Sequence, residues 1–127
     1  MSKAKGSRTE RELIALFWKQ GWGCTRVAGS GSTPLPSPDI LVGKPGRVLA
    51  IECKSGKTVR YVEKDQIDEL NEFSKRFGAD ALIGVRFDRK GWYFLRSEQM
   101  KITNRGAYAV SLKLAQEVGL TFEELIK

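Results

Sequence analysis

The chain has 127 residues, 41% of them hydrophobic and 29% charged, which predicts one domain over residues 1–127 with a single packed core. No stretch reaches the ~18 consecutive apolar residues of a membrane-spanning helix, and two cysteines are too few for a disulfide framework or a zinc cage. Because the chain has no histidine, an imidazole general base is excluded, and hydrolysis would need carboxylates, lysine and a hard metal ion. We expect a cytoplasmic protein without membrane association or organic cofactor.

The net charge of +7 is unevenly spread, because residues 1–65 carry +6 of it. Residues 1–6 are predicted to be a flexible, basic N-terminus. A basic half attracts polyanions, most commonly the phosphate backbone of a nucleic acid. Solubility alone explains the same charge equally well, so charge by itself does not decide between the two.

The first half of the chain predicts a helix followed by three strands. Apolar residues between 6 and 20 recur with helical spacing, and Gly21 ends the helix. A strand at 23–28 leads into a glycine- and proline-rich loop. Strands at 39–42 and 47–54 form a hairpin across the Lys44-Pro45-Gly46 turn.

The second half predicts a helix at 63–77, ended by Gly78 in the left-handed conformation, and then strands at 81–87 and 92–96. The tail is predicted to be helical at 106–118 and 121–126, with Thr121 as the N-cap of the last helix. The order α, three strands, α, two strands, α favours a mixed sheet with helices packed against it.

Two opposite charges interrupt an otherwise apolar strand in the stretch VLAIECKSGK. Side chains alternate along a strand, so Glu52 and Lys54 share one face. A buried carboxylate is costly unless it is paired or binds a metal. Mutual neutralisation of Glu52 and Lys54 at a sheet edge is one explanation, and a functional site is the other.

Two further acids are predicted to approach Glu52. Asp39 begins the partner strand of the hairpin, which sets it near Glu52, and two close carboxylates repel unless a cation lies between them. On the first helix, Glu10 lies on the apolar stripe and Glu12 points nearly opposite, toward water. A helix-dipole role would suit an exposed glutamate better than the inward Glu10. Such an oxygen-rich set suits Mg²⁺.

The residues Pro38-Asp39…Glu52-x-Lys54 resemble the P-D…(D/E)-x-K pattern of a superfamily of metal-dependent nucleases. Five stretches, GSRTERELIALF, TRVAGSGS, SPDILV, AIECKSGK and EFSKRFGADALIGVRF, together resemble the archaeal Holliday junction resolvases over roughly residues 5–96. The resemblance implies a restriction-endonuclease-like fold, a mixed five-stranded β-sheet flanked by α-helices. It also implies a crossover junction endodeoxyribonuclease that nicks four-way junction DNA in recombination and repair.

The resemblance further implies individual roles. Glu10, Asp39 and Glu52 would hold Mg²⁺, for which Mn²⁺ can substitute, and Lys54 would stabilise the transition state or orient the attacking water. Arg11 and Arg26 would bind phosphate near the scissile bond. Ser30 would act from the loop, although it is also simply a small residue in a glycine-rich turn. This loop is longer and richer in proline than the family pattern, which leaves open whether Ser30 or Ser32 reaches the phosphate.

The resemblance also implies a homodimer that makes two symmetric nicks, with Phe73 and Phe77 at its interface; the alternative is that both rings line the core. Further candidate DNA contacts form a basic surface: Lys3, Lys5, Arg8, Lys57, Arg60 and Arg86. A related nuclease that cuts duplex or flap DNA is the nearest alternative function, and a non-catalytic nucleic-acid-binding module is another. Pure binding would not require three acids, because extra carboxylates weaken attraction to phosphate.

Overall fold

The structure is a computed structural model that describes the backbone of residues 3–27 and 34–127, and the side chains of residues 6–27 and 34–127. Within these ranges there are four helices, α1 (Lys3–Lys19), α2 (Lys64–Phe77), α3 (Leu112–Val118) and α4 (Phe122–Leu125). The first five strands are β1 (Gly23–Arg26), β2 (Ile40–Lys44), β3 (Arg47–Gly56), β4 (Arg60–Val62) and β5 (Asp80–Phe87). The other four are β6 (Gly91–Leu95), β7 (Lys101–Ile102), β8 (Tyr108–Val110) and β9 (Leu120–Thr121).

The predicted fold class is confirmed: a mixed sheet lies between helices. The order of the main sheet, within the described residues, is β1-β2-β3-β5-β6-β9, and only the pairing of β3 with β5 is parallel. The sheet has six strands where five were predicted. The additional strand is β9, which pairs with Tyr93 and Phe94 of β6. Strands β4, β8 and β7 form a second, smaller sheet that was not predicted.

The sheet has a different hydrophobic core on each face. On one face, Leu13 and Phe17 of α1 pack with Ile51 and Cys53 of β3. On the other, Ile67 and Leu70 of α2 pack with Ala50 and neighbouring residues of β5. Alternation along β3 therefore sends odd-numbered side chains toward α1 and even-numbered ones toward α2.

The predicted C-terminal ends of α1 and α2 are confirmed. Gly21 and Gly78 adopt left-handed backbone conformations, with φ of 86° and 84°, which a residue with a side chain rarely adopts. The helix start differs from the prediction, since α1 begins at Lys3, within the segment predicted as a basic N-terminus. None of the helices in the described ranges combines the length and apolar character that crossing a lipid bilayer requires.

The tail differs most from the prediction. The helix predicted at 106–118 is wrong in its first half, where β8 pairs with β4 and β7, and only residues 112–118 are helical. The last helix is confirmed, and Thr121 is its N-cap. The Thr121 hydroxyl accepts a hydrogen bond from Glu124 N at 3.2 Å, and the Thr121 N–H donates one to the Glu124 carboxylate at 2.9 Å.

Candidate active site

The β2–β3 hairpin brings Asp39 beside Glu52. Ile40 pairs with Ile51, and the amide of Asp39 donates to the carbonyl of Ile51 at 3.1 Å. The Asp39 carboxylate accepts a hydrogen bond from the backbone N–H of Cys53 at 2.8 Å. Asp39 is thus fixed to β3 on both sides of Glu52, and its side-chain position follows from the strand register.

The carboxyl group of Glu52 is coupled electrostatically to the other acids. Burial, followed by the charge of Asp39, raises the pKa of Glu52 from 4.5 to about 8, and Glu10 adds to the rise. Lys54 acts in the opposite direction. The two residues of the E-x-K pattern do interact, but Lys54 does not neutralise Glu52 fully. Mutual neutralisation therefore does not explain why the carboxylate is there.

Glu10 joins this group from α1. Only 16% of its side chain is exposed, in agreement with its predicted inward orientation, and it accepts a hydrogen bond from Arg26 Nε at 3.0 Å. Burial and the charge of Asp39 raise the pKa of Glu10, while Arg26 opposes the rise. Three acids from α1, the start of β2 and β3 thus act on one another. We call Glu10, Asp39 and Glu52 the acid cluster.

The acid cluster fits a hard divalent cation by its chemistry. Within the described ranges, no group of three Asp, Glu, Cys or His side chains is arranged so that it could hold a metal ion as it stands. Arg26 occupies one oxygen of Glu10 instead. The donor set is nonetheless three carboxylates whose mutual repulsion a bound cation would relieve.

The predicted phosphate-binding residues have different surroundings. Arg8, Arg11 and Lys57 are exposed, whereas Lys54 and Arg60 are partly buried. Ser30 and Ser32 lie outside the described residues, as do the side chains of Lys3 and Lys5.

Glu12 does not simply point into water, and that prediction is corrected here. It accepts from Arg86 Nε at 2.9 Å and from Trp92 Nε1 at 3.0 Å, which ties α1 to β5 and β6. Arg86, a predicted DNA contact, is therefore already in an ion pair. The signal that could have revealed this contact is Trp92 itself, because an indole N–H in a packed region needs an acceptor.

Sequence reasoning also missed Glu69. Glu69 lies on α2, and its negative charge adds to the rise in the pKa of Glu52. Since Glu69 lies outside every quoted motif, nothing in the sequence pattern pointed to it.

An exposed apolar groove lies along α2. Phe73 and Phe77 stack with ring centroids 5.1 Å apart, and Phe77 is 55% exposed, so Phe77 is not a core residue. Phe73 is partly buried against the core on the α2 face. The groove has a volume of about 440 Å³ and is lined by Leu35, Pro36, Glu72, Phe73, Arg76 and Phe77. We call it the Phe groove.

Comparison with known proteins gives a consistent result. The family model described as archaeal Holliday junction resolvase (Hjc) matches residues 1–127. The crossover junction endodeoxyribonuclease Hjc of Archaeoglobus fulgidus is 36% identical, over 96% of this chain and 95% of that protein. The Hjc of Sulfurisphaera tokodaii is 32% identical, over 99% of this chain and 88% of that protein.

The fold comparison agrees. The solved structure of Archaeoglobus fulgidus Hjc, a Holliday junction resolvase, superposes with a TM-score of 0.87 and 31% identity, covering 96% of this chain and all of that one. The acid cluster occurs in a chain that resembles these nucleases over nearly its whole length, and the chain belongs to the archaeal Holliday junction resolvase family.

Proposed function

We propose that this chain is a structure-selective, metal-dependent endodeoxyribonuclease that resolves four-way DNA junctions by paired symmetric nicks in recombination and repair. The observation that carries the proposal is the acid cluster beside Lys54, in a member of this nuclease family. Chromosomal DNA as substrate makes the cytoplasm the proposed location.

The acid cluster is proposed to hold Mg²⁺, with Mn²⁺ as a substitute. When bound there, the ion would supply Lewis acidity, both toward the attacking water and toward the phosphodiester. The Cys53 N–H keeps the Asp39 carboxylate in place, and β3 fixes Glu52. Glu10 would have to exchange its bond with Arg26 for the ion in order to join them as a ligand.

The cations of the chain supply the rest of the chemistry. The Lys54 ammonium lies on the same strand face as Glu52 and offsets the negative charge that grows on the phosphate oxygens. Arg26 is 52% exposed at the edge of the acid cluster, where a DNA phosphate can replace Glu10 as its partner. Arg11 is proposed to bind a neighbouring phosphate, and Ser30 or Ser32 the scissile one.

The test compares a four-way junction with linear duplex and flap substrates of the same sequences, with and without Mg²⁺. We expect symmetric nicks in the junction, only with the metal, and much slower cutting of the other substrates. Equal cutting of all substrates would make the chain a general nuclease. Binding without cutting would make it a non-catalytic module.

A homodimer is proposed because a junction with two-fold symmetry presents two equivalent scissile sites. The Phe groove is the proposed interface. It combines the exposed Phe77 ring with Leu35, which is 72% exposed, and such contiguous apolar surface is typical of interfaces. A second copy is the partner that the proposed reaction requires.

Phe73→Ala combined with Phe77→Ala should shift the protein from dimer to monomer at micromolar concentration, because each lost ring removes apolar contact area. Light scattering at a series of concentrations measures the mass directly. Ile102→Ala, which removes another exposed apolar side chain (60% exposed) far along the chain, is the matched control and should stay dimeric. An unchanged mass in the double variant would contradict the proposed interface.

A further inference from the structure

Arg60 lies in a position that the E-x-K pattern does not include. The guanidinium of Arg60 packs directly on Gly56: a Cβ built on Gly56 would lie 2.8 Å from Nη1, 2.9 Å from Cζ and 3.1 Å from Nε. The first two distances are shorter than real Cβ contacts and the third is tight, so the arginine occupies the space that a side chain at position 56 would fill. Gly56 therefore provides a seat for the guanidinium.

This seat is on the same face of β3 as Glu52 and Lys54. Side chains alternate along a strand, so residues 52, 54 and 56 project the same way, and the regular pairing with β5 continues to Gly56 opposite Phe87. Two residues along a strand span about 7 Å. The Arg60 guanidinium is thus the next group after Lys54 in the same row, and a second cation follows the proposed catalytic lysine.

The guanidinium is held in place before any ligand binds. Arg60 Nε donates to the carbonyl of Val59 at 2.9 Å, and Nη1 donates to the carbonyl of Ser55 at 3.4 Å. Asp88 N donates to the carbonyl of Gly56 at 2.9 Å, which fixes the backbone of the seat. Of the five N–H donors of a guanidinium, the two bonds from Arg60 engage two. These two bonds leave three donors for a ligand, and Arg60 is only partly buried.

A fixed, partly buried guanidinium differs physically from an exposed lysine such as Lys57. Its rotamer entropy is already lost in the folded protein, and its planar fork matches the oxygens of a phosphodiester. When an anion binds there, the arginine side chain therefore loses little further conformational entropy.

We propose that Arg60, seated on Gly56, forms a binding site for a DNA backbone phosphate next to the phosphate that is cleaved. This proposal rests on the proposed function, because Lys54 marks the scissile phosphate. Gly56 is the positioning residue of the site, and it acts only through the arginine.

The first experiment measures binding of a four-way junction, in EDTA so that no cleavage occurs, over a series of KCl concentrations. The slope of log K against log [KCl] reports how many phosphates the protein neutralises. Arg60→Ala should weaken binding and reduce the slope by about one. Lys113→Ala, which removes an equal charge from an exposed position on α3, should leave the slope unchanged. Equal slopes for the Arg60 and Lys113 variants would overturn the proposal.

The second experiment removes the seat and keeps the charge. Gly56→Ala should displace the guanidinium and weaken binding, while thermal stability is kept, because a strand position accepts alanine. In the Arg60→Ala background, the same change should have no further effect on binding. An equal additional loss there would show that Gly56 does not act through Arg60, and would overturn the assignment.

The two proposals can fail separately. If the wild-type protein binds the junction but never nicks it in Mg²⁺, the proposed function fails, and the slope comparison still tests the phosphate site. If it nicks the junction and the Arg60 slope equals that of the Lys113 variant, only the phosphate site fails.

Discussion

Asp39→Asn should abolish Mg²⁺-dependent nicking of a four-way junction while binding of the junction persists or tightens, and Glu52→Gln should do the same. Each change removes one ionised oxygen ligand and leaves the side chain nearly the same size. Loss of bound metal removes several kcal/mol of transition-state stabilisation, which corresponds to a decrease in rate of about a thousandfold or more. Binding is spared because neither change adds negative charge, and Asp39→Asn removes a charge that repels phosphate.

The measurement pairs single-turnover nicking in Mg²⁺ with junction affinity in EDTA. Glu117→Gln, an equal change at an exposed position on α3, is the control and should cut at the wild-type rate. Far-ultraviolet circular dichroism checks that the inactive variants are folded. If either Asp39→Asn or Glu52→Gln nicks the junction at the wild-type rate, the acid cluster has no part in the mechanism.

The parts of the fold that position the acid cluster could be predicted from the sequence because they depend on local chemistry. The turn at 44–46 sets the register of a two-strand hairpin, and that register places Asp39 opposite Glu52. The apolar stripe of α1 orients Glu10 inward by helical geometry alone. In both cases, the pattern and the contact lie within a short stretch of chain.

The small sheet could not be predicted because its strands are two or three residues long and their partners are far apart in sequence. Tyr61 pairs with Ala109, and Lys101 joins from the other side of Ala109. Such pairings depend on tertiary packing, since two residues cannot show a period. The same reason explains why the sequence does not predict β9, at Leu120–Thr121, where the gap between the two predicted tail helices ends.

The site residues that sequence reasoning missed are those whose roles depend on distant partners. Glu12 looked solvated because it lies opposite the apolar stripe, yet Arg86 and Trp92, more than seventy positions away, both donate to it. Gly56 lies beyond the strand predicted at 47–54, and only the folded chain shows the Arg60 guanidinium upon it. Helical and strand periods assign a residue to a face but do not identify what else approaches that face.

The acid cluster should also reduce the stability of the metal-free protein, by an amount that depends on pH. Glu52 has a pKa of about 8 in the folded chain and an ordinary value of 4.5, so the folded state binds more protons between these values. Stability attributable to this group is therefore complete below about pH 4.5, falls as the pH rises through 8, and is constant above that. Glu52→Gln removes the ionisable group and should eliminate this loss.

In EDTA, the melting temperature of Glu52→Gln should equal that of the wild type near pH 4 and exceed it increasingly up to about pH 9. The corresponding difference in the free energy of unfolding should reach the order of a few kcal/mol. The variant also removes the repulsion between the Glu52 carboxylate and the charges of Asp39 and Glu10, which both raise the pKa of Glu52. Adding Mg²⁺ at pH 9 should reverse the order, since a ligand that binds only the folded wild type raises its stability by mass action. If the difference in melting temperature is the same at pH 4 and pH 9, then Glu52 is not a strained acid. If Mg²⁺ stabilises both proteins equally, then Glu52 is not a metal ligand. The two observations together therefore test the electrostatic basis of the site independently of whether the protein cuts DNA.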